Sequence, residues 1–344
     1  MAEKLNVDEF EAYLGEKSGL IDAELGRFLA DSADIPSLHE GVFYALGLDT
    51  PERRRRGKRL RPVLCLLTCE SLGGEVQRAI PFAMACEMMH NFLLVHDDIE
   101  DRDVMRRGRD SVWVRYGKDH GINIGDYMFA QTYELVRLSL ERGVNERVVL
   151  SLMDLVTQTV ERTGEGQALE IEARRRMEMT LDDYMSMVTA KTGFYLAAPL
   201  VGGAILADAS PASLDVLRSL GDKIGPIFQI ADDIIDLTEG KGRGERGSDI
   251  KEGKRSFLVV HVSQCCTLSE REELFRILMT PRTDVTREEV HWVMEIFEKY
   301  DAVEAARDKG RELLEEAKAF VRKLPPPLDS NLLAAVEFML GRKW

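Results

Sequence analysis

Apolar residues recur every three and four positions through nearly the whole chain, which is the spacing that places them on one face of an α-helix. Sustained alternation of apolar and polar residues, the pattern of a half-buried strand, is absent. One run is strand-like, SFLVVHV at residues 256–262, and we interpret it as the opening of a helix. The sequence therefore predicts an all-α fold.

Local signals predict where these helices begin and end. The predicted starts are Pro81, Thr180, Pro211 after Ser210, Ser269 with Glu272, and Thr286 with Glu289, the last two having the spacing of a capping box. Gly73 and Gly74 predict a helix end, whereas Gly202 and Gly203 lie within an apolar run and predict close helix packing. Residues 238–254 hold five glycines among charges and predict a mobile surface loop. We find no repeat and no linker, so we expect a single domain over residues 1–344.

Composition excludes several classes of protein. With 344 residues, of which 44% are hydrophobic, the chain can bury a substantial core. A net charge of -14 argues against a general nucleic-acid binder. The acidic N-terminus is unlike a signal peptide, and the longest apolar stretch, residues 192–207, is shorter than the roughly 20 residues of a membrane span. Five cysteines without a CxxC pair suggest reduced core residues of a cytoplasmic protein.

Two acidic clusters end apolar, helix-like runs: DDIED at residues 97–101 and DDIID at residues 232–236. Helical residues four apart share a face, so Asp97 with Asp101, and Asp232 with Asp236, present paired carboxylates. Such groups repel one another unless a hard divalent cation such as Mg²⁺ binds them and leaves positions for water and phosphate. The clusters therefore predict a metal-diphosphate site. For either cluster alone, the alternative is a solvated acidic helix end.

Basic residues flank the first acidic cluster. Lys58 and Arg61 lie three apart beside a predicted helix start, where cations and free N–H groups can bind an anion. Arg106 and Arg107 follow the cluster and precede Gly108, which would allow the backbone to approach a phosphate. Each basic group alone is typical of a solvated surface. The order basic, acidic, basic, acidic suits two diphosphates, one held through metal and the other directly by cations.

In these motifs the chain resembles the trans-type polyprenyl diphosphate synthases, which include farnesyl and geranylgeranyl diphosphate synthases. The likeness covers residues 57–260 and consists of GKRLRP, HN...DDIED...RRG, GEGQALEIE, KTG, FQIADDIID and GSDIKEGKR. The last motif looks most like that of archaeal members. The resemblance implies an all-α isoprenoid synthase-type bundle around a deep central cavity, usually as a homodimer.

The resemblance also implies two substrate sites. Isopentenyl diphosphate would bind without metal to Lys58, Arg61, His90 and Arg107. The allylic diphosphate would be held by three Mg²⁺ ions on Asp97, Asp101 and Asp232, with Asp98, Asp233 and Asp236 as secondary ligands. Its phosphates would contact Arg106, Lys191 and Lys254, while Thr192 and Gln229 would lie near the allylic carbon. Taken alone, His90 would be interpreted as an ordinary core histidine.

Three positions depart from the family pattern. The usual Pro-Thr-x-His after RRG is replaced by residues 110–113, DSVW, near the allylic site. Ser256 replaces the threonine after GK-x and keeps a hydroxyl. Glu170 replaces the aspartate of GQ-x-x-Asp and keeps a carboxylate. None of these positions is a primary metal ligand.

Product length in this family depends on the helix before DDIED. Phe92 and Met89 lie five and eight residues before Asp97, on one helical face with Ala85. An aromatic Phe92 followed by the non-aromatic Leu93 looks like archaeal geranylgeranyl synthases, so we expect Phe92 to be the tunnel floor and the product to be C20. The alternatives are a farnesyl (C15) or C25 product, and for Phe92 an ordinary packed core residue.

Two rival functions remain. A terpene cyclase shares the helical cavity and a first acidic motif but has no isopentenyl diphosphate site, and Lys58, Arg61 and Arg107 argue against it. A non-catalytic regulatory subunit would typically lose its aspartates, whereas this chain keeps six in the two motifs.

Overall fold

The computed structural model describes residues 4–30, 35–238 and 246–340, and these are almost entirely helical. The α-helices are α1 Val7–Ala30, α2 Pro36–Leu46, α3 Arg53–Arg56, α4 Leu60–Ser71, α5 Val76–Glu100, α6 Val112–Tyr116, α7 Lys118–Arg137, α8 Glu146–Ala173, α9 Leu181–Val188, α10 Phe194–Leu206, α11 Pro211–Thr238, α12 Ser248–Lys251, α13 Phe257–Cys265, α14 Leu268–Leu278, α15 Arg287–Lys299, α16 Ala302–Val321 and α17 Leu328–Leu340. A 3₁₀ turn spans Leu138–Arg142, a π-helical turn spans Thr189–Gly193, and two-residue strands β1 Met105–Arg106 and β2 Arg109–Asp110 form an antiparallel hairpin. The prediction of an all-α fold is confirmed, with this hairpin as the exception.

The described residues divide into two compact units. The first unit comprises those within 1–158, 197–218 and 320–342, and the second unit those within 159–196 and 219–319. Helices α8, α10, α11 and α16 each begin in one unit and end in the other. The expectation of a single domain stays a prediction.

Helix α5 is the centre of the first unit, where it packs against α4 and α7. Residues 79–89 are all buried, so this part of the helix is covered on every face, which is typical of a helix in a core. The predicted close packing at Gly202 and Gly203 is confirmed, since a Cβ atom at Gly202 would lie 1.9 Å from Phe82 and one at Gly203 would lie 2.3 Å from the Cys65 carbonyl oxygen.

Helix α13 is central to the second unit and packs against α9, α14 and α15. Residues 257–260 are all buried, which explains why this run has the apolar density of a strand. The Ser256 hydroxyl accepts a hydrogen bond from the Val259 N–H and so caps the helix. The interpretation of this segment as a helix opening is confirmed.

Most predicted helix ends are confirmed. Thr180 and Thr286 cap α9 and α15, each in a capping box, and α11 begins at Pro211. Helix α4 ends at Ser71, and the N–H groups of Gly73 and Gly74 bond to its last turn.

Two predicted helix starts are wrong. The capping box of α14 is formed by Thr267 with Glu270, because the helix begins at Leu268 and Ser269 already lies in its first turn. Helix α5 begins at Val76, so Pro81 lies inside it. The missing N–H of a proline removes one backbone hydrogen bond, and burial of α5 on all sides offsets that loss.

The predicted mobile loop at residues 238–254 lies partly outside the described residues, which omit 239–245. The prediction is wrong for the end of the segment, where α12 carries buried Ser248, Asp249 and Ile250. Hydrogen bonds to Asp236 hold this helix in place, as described below. None of the described helices combines the length and apolar content needed to cross a membrane.

Candidate active site

The first acidic cluster lies at the C-terminal end of α5 in the first unit. The helix ends at Glu100, and the Asp101 N–H donates to the Asp97 carbonyl at 2.8 Å. The Asp97 side chain is 24% exposed, whereas Asp98 and Asp101 are buried. The cluster thus contains two accessible carboxylates, Asp97 and Glu100, beside the buried ones.

Arg106 is bound by this cluster. Its Nε donates to Asp98 Oδ1 at 2.8 Å, and its Nη2 also bonds to that oxygen. The same Nη2 lies 3.7 Å from Asp97 and 3.8 Å from Asp103. Burial lowers the pKa of Arg106, but pairing with Asp98 outweighs it and raises that pKa above its ordinary value, so the arginine stays charged.

The hairpin of β1 and β2 positions Arg106 and Arg107. Arg107 and Gly108 form its turn with φ of 54° and 73°, the left-handed conformation that tight hairpins require at both central positions. Gly108 therefore serves the turn, whereas the sequence suggested close approach to a phosphate. Arg109 anchors the hairpin, since it bonds to Asp49 at 2.8 Å and stacks on the Tyr44 ring at 3.8 Å.

Arg107 lies against the basic segment that precedes α4. Its Nη1 donates to the Arg56 carbonyl at 3.1 Å, and a Cβ atom at Gly57 would lie 2.9 Å from its Cζ. Burial lowers the pKa of Arg107 to about 10, which shows that desolvation exceeds its pairing with Glu87. Arg107 thus lies beside Gly57, the residue before the exposed Lys58, and its shared role with Lys58 stays a prediction.

His90 lies near the same cations. Burial lowers its pKa well below the ordinary value, and the positive charges of Arg61, Arg107 and Arg106 lower it further. His90 is therefore neutral near pH 7, and it can offer one N–H donor and one acceptor.

Sequence reasoning missed Arg59, the residue that follows Lys58. Its side chain is buried and donates to Asp22 at 2.7 Å, to Glu87 at 2.7 Å and to the Leu46 carbonyl at 2.6 Å. Its φ of 51° turns the chain immediately before α4. The sequence offers no signal for this role, because the acceptors come from α1, α2 and α5.

Helix α11 carries the second acidic cluster in the second unit. Asp232 is partly exposed, whereas Asp233 and Asp236 are buried. Asp236 accepts hydrogen bonds from the Ser248 hydroxyl and, at 3.1 Å, from the Asp249 N–H. This carboxylate therefore holds α12 in place.

Asp233 accepts hydrogen bonds from several parts of the second unit. The donors are Gln229 Nε2 at 3.1 Å, the Tyr184 hydroxyl at 3.0 Å and the Phe257 N–H at 2.9 Å. Burial raises the pKa of Tyr184 well above its ordinary value, so its hydroxyl keeps the proton that it donates. Tyr184 is a second residue that sequence reasoning missed.

Lys191 and Thr192 lie on the π-helical turn between α9 and α10. Turns of this type are rare and occur frequently at functional sites. Lys191 Nζ bonds to Glu170 at 3.0 Å, and a Cβ atom at Gly166 would lie 2.3 Å from the Lys191 backbone nitrogen. The GEGQALEIE and KTG motifs thus pack against each other, and the substituted residue Glu170 holds the Lys191 ammonium.

Lys254 is also held by carboxylates. Its Nζ lies 2.7 Å from Glu252 and 3.6 Å from Asp249. The Glu252 side chain is 1% exposed and lies 3.2 Å from Arg282 as well. Glu252 is therefore a buried acid between two cations, and sequence reasoning did not identify it.

Phe92 is buried with Met89 and Ala85 on α5. Its ring packs edge-on against Phe129 of α7, with ring centroids 5.2 Å apart. The packing is compatible with a tunnel floor and with an ordinary core residue, so the role of Phe92 stays a prediction.

Asp97 in the first unit and Asp232 in the second unit are each partly exposed, and carboxylate oxygens are the ligands that Mg²⁺ prefers. In the parts of the chain that the structure describes, no group of three His, Cys, Asp or Glu side chains is arranged to hold a metal ion.

Known proteins resemble this chain over most of its length. A family model described as polyprenyl synthetase matches residues 53–297. A short chain isoprenyl diphosphate synthase of Methanothermobacter thermautotrophicus is 35% identical over 291 residues, which cover 83% of this chain and 87% of that protein. A geranylgeranyl diphosphate synthase of Sulfolobus acidocaldarius is 31% identical over 293 residues, covering 85% of each.

A solved structure supports the same conclusion. The crystal structure of geranylgeranyl pyrophosphate synthetase from Pyrococcus horikoshii matches with a TM-score of 0.82 and 30% identity, covering 96% of this chain and 98% of that one. The predicted resemblance and the isoprenoid synthase-type fold are confirmed. On the family match and these relatives, the chain belongs to the polyprenyl synthetase family.

Proposed function

We propose that this protein condenses isopentenyl diphosphate with an allylic diphosphate to form a short-chain polyprenyl diphosphate. One observation in the first unit carries the proposal. Consecutive arginines on one hairpin serve different groups, since Arg106 binds the acidic cluster at Asp98 while Arg107 lies against Gly57 in the basic segment. This arrangement supports two neighbouring diphosphate sites, one beside metal-binding carboxylates and one among cations.

The proposed metal ligands are Asp97, Asp101 and Asp232, with three Mg²⁺ ions expected for each active site. The proposed secondary ligands are Asp98, Asp233 and Asp236. Their oxygens already accept hydrogen bonds from protein donors, which supports a secondary role. When bound, a divalent cation neutralises the allylic diphosphate and makes it a better leaving group.

The proposed roles of the remaining residues follow from their charges. Arg106, Lys191 and Lys254 bind oxygens of the allylic diphosphate, and each is already held by a carboxylate that positions it. Isopentenyl diphosphate binds to Lys58, Arg61 and Arg107, and neutral His90 donates its N–H to the same anion. Holding two substrates in the reacting geometry supplies much of the rate enhancement.

In the reaction, the allylic carbon–oxygen bond breaks and its electron pair leaves with the diphosphate. The double bond of isopentenyl diphosphate attacks the resulting cation, and the departing diphosphate accepts the proton lost from the adjacent carbon. Thr192 and Gln229 present a hydroxyl and an amide oxygen to the developing positive charge.

We further propose a C20 product, with Phe92 as the floor and Met89 beneath it. Two relatives that are named geranylgeranyl diphosphate synthases support this length. C15 and C25 products are the alternatives. A homodimer and a cytoplasmic location also remain proposals, which depend on the family resemblance and the cysteine content.

The test is incubation with isopentenyl diphosphate, Mg²⁺ and one of dimethylallyl, geranyl or farnesyl diphosphate, followed by chromatography of the products. We expect elongated diphosphates that end at C20. Cyclic hydrocarbons would identify a terpene cyclase, and the absence of any product would favour a regulatory subunit. Either result would refute the proposed function.

A further inference from the structure

Asp233 and Gln229 form a hydrogen-bonded pair on α11. They are four residues apart, so their side chains lie on one face of the helix. Gln229 Nε2 donates to Asp233 Oδ1 at 3.1 Å. The other carboxylate oxygen, Oδ2, accepts from the Tyr184 hydroxyl and from the Phe257 N–H.

The chemistry of the carboxylate decides how the Gln229 amide is turned. An ionised carboxylate can only accept hydrogen bonds, so it selects the NH₂ side of the amide. The amide oxygen Oε1 then lies on the other side, where no described residue donates a hydrogen bond to it. Gln229 is only half-buried, which leaves this oxygen available to a ligand.

We propose that Asp233 is a positioning residue that presents the oxygen of the Gln229 amide, and not its NH₂ group, to the allylic carbon. This inference rests on the proposed function, which assigns Gln229 to that carbon. An amide oxygen carries partial negative charge and stabilises a developing cation, whereas the reversed amide would oppose it. Asp233 thereby determines which end of the Gln229 amide dipole faces the cation.

Asp233 itself is rigidly held by two other elements. The Phe257 N–H belongs to the first residue of α13, where free N–H groups bind anions well. Tyr184 of α9 is buried and packs edge-on against the Phe257 ring, with centroids 5.8 Å apart. The position of Oδ2 is therefore fixed independently of Gln229, and Oδ1 orients the amide.

The first test is Asp233→Asn, which keeps the shape of the side chain. The Phe257 N–H can only donate, so the asparagine must turn its oxygen to Phe257 and its NH₂ to Gln229. The Gln229 amide then reverses. We expect kcat to fall on the order of 10²-fold, as when one preorganised group is lost, while KM for both substrates changes little. Asp222→Asn is the matched control, because Asp222 is exposed on the same helix.

The second test exchanges the two residues in the double variant Gln229→Glu, Asp233→Asn. Here the glutamate accepts from the asparagine NH₂ and presents its other oxygen to the allylic carbon. We expect it to recover roughly tenfold or more of the kcat lost in Asp233→Asn. The kcat of the double variant should also exceed that of the single variant Gln229→Glu by a similar factor, because the single variant places two carboxylates side by side. This second comparison can be made even where Asp233→Asn fails to fold.

The outcomes separate the two proposals. An active wild-type enzyme with unchanged kcat in Asp233→Asn would overturn this inference alone. The same conclusion would follow from an exchange variant no better than either single variant, since a purely structural role of Asp233 would not be restored by exchange. A wild-type protein without condensation activity would overturn the proposed function and this inference with it.

Discussion

Arg59 offers a sharp test of how the basic segment before α4 is held. We expect Arg59→Met to destabilise the fold strongly, because its partner Glu87 would remain buried without the guanidinium, keeping the Asn91 amide at 2.8 Å and the more distant charge of Arg107. Removing one partner of a buried ion pair costs about 3–5 kcal/mol. An exposed pair such as Arg276 with Glu273 should contribute at most about 1 kcal/mol, so Arg276→Met is the matched control.

The pH dependence adds a second signature. In the wild type, burial raises the pKa of Glu87, but Arg59 and Arg107 outweigh it, so the pKa is lowered. Glu87 therefore contributes stability above its unfolded pKa, and this is lost as the pH falls through the folded pKa. In Arg59→Met only Arg107 and the Asn91 amide remain to offset the burial, so the pKa of Glu87 rises. The folded variant then binds an extra proton at low pH. Its free energy of unfolding should therefore fall further below that of the wild type at pH 7.5 than at pH 5.

The assay is the free energy of unfolding from urea titrations of wild type, Arg59→Met and Arg276→Met at both pH values, followed by circular dichroism. Replacing both partners, in Arg59→Met with Glu87→Gln, should recover part of the loss because residue 87 then carries no charge that must be buried. The reasoning would be refuted by a loss below about 1 kcal/mol, or by a loss that is equal at pH 5 and pH 7.5.

Three further predictions concern activity. Asp97→Ala should leave a folded protein whose transfer rate is orders of magnitude lower, and turnover near wild type in the condensation assay would contradict its assignment as a metal ligand. Phe92→Ala should lengthen the product beyond C20 and cost about 3–5 kcal/mol of stability through the cavity beside Phe129, and an unchanged product distribution in chromatography would exclude it as the floor. Gly166→Ala should displace the π-helical turn at Lys191, because its Cβ would lie 2.3 Å from that backbone nitrogen. We expect the free energy of unfolding, measured by thermal denaturation, to fall by about 1–3 kcal/mol and kcat to fall as well. Wild-type values of both would refute the packing argument.

Much of the fold was predictable because helices are specified locally. The three-and-four spacing, the capping box at Thr286 and the glycines after Ser71 all act within a few residues of one another. The hairpin at residues 105–110 escaped prediction because strands of two residues are too short to show alternation. The buried helix α12 escaped it because a glycine-rich, charged segment is ordered there by Asp236, a residue outside the segment.

Some features of the candidate site were likewise predictable from the sequence, and others were not. The types and order of the acids and cations were visible in the sequence, whereas the contact of Arg107 with Gly57 is seen only in the structure. Arg59, Tyr184 and Glu252 were missed because their roles depend on partners from other elements. A buried arginine looks no different in sequence from an exposed one.

By itself the sequence determined that the chain is helical and that it carries two clusters of carboxylates on shared helical faces, since both properties depend only on spacing along a helix. Within each cluster, however, the aspartates are chemically identical in sequence. Only the tertiary structure decided which donors reach each aspartate. Asp98 accepts hydrogen bonds from Arg106, Asp233 accepts one from the first residue of α13, and Asp236 accepts one from α12. Asp97 and Asp232 stay partly exposed. The physical reason is that a carboxylate's role is set by which donors reach it, and these donors come from other helices and loops.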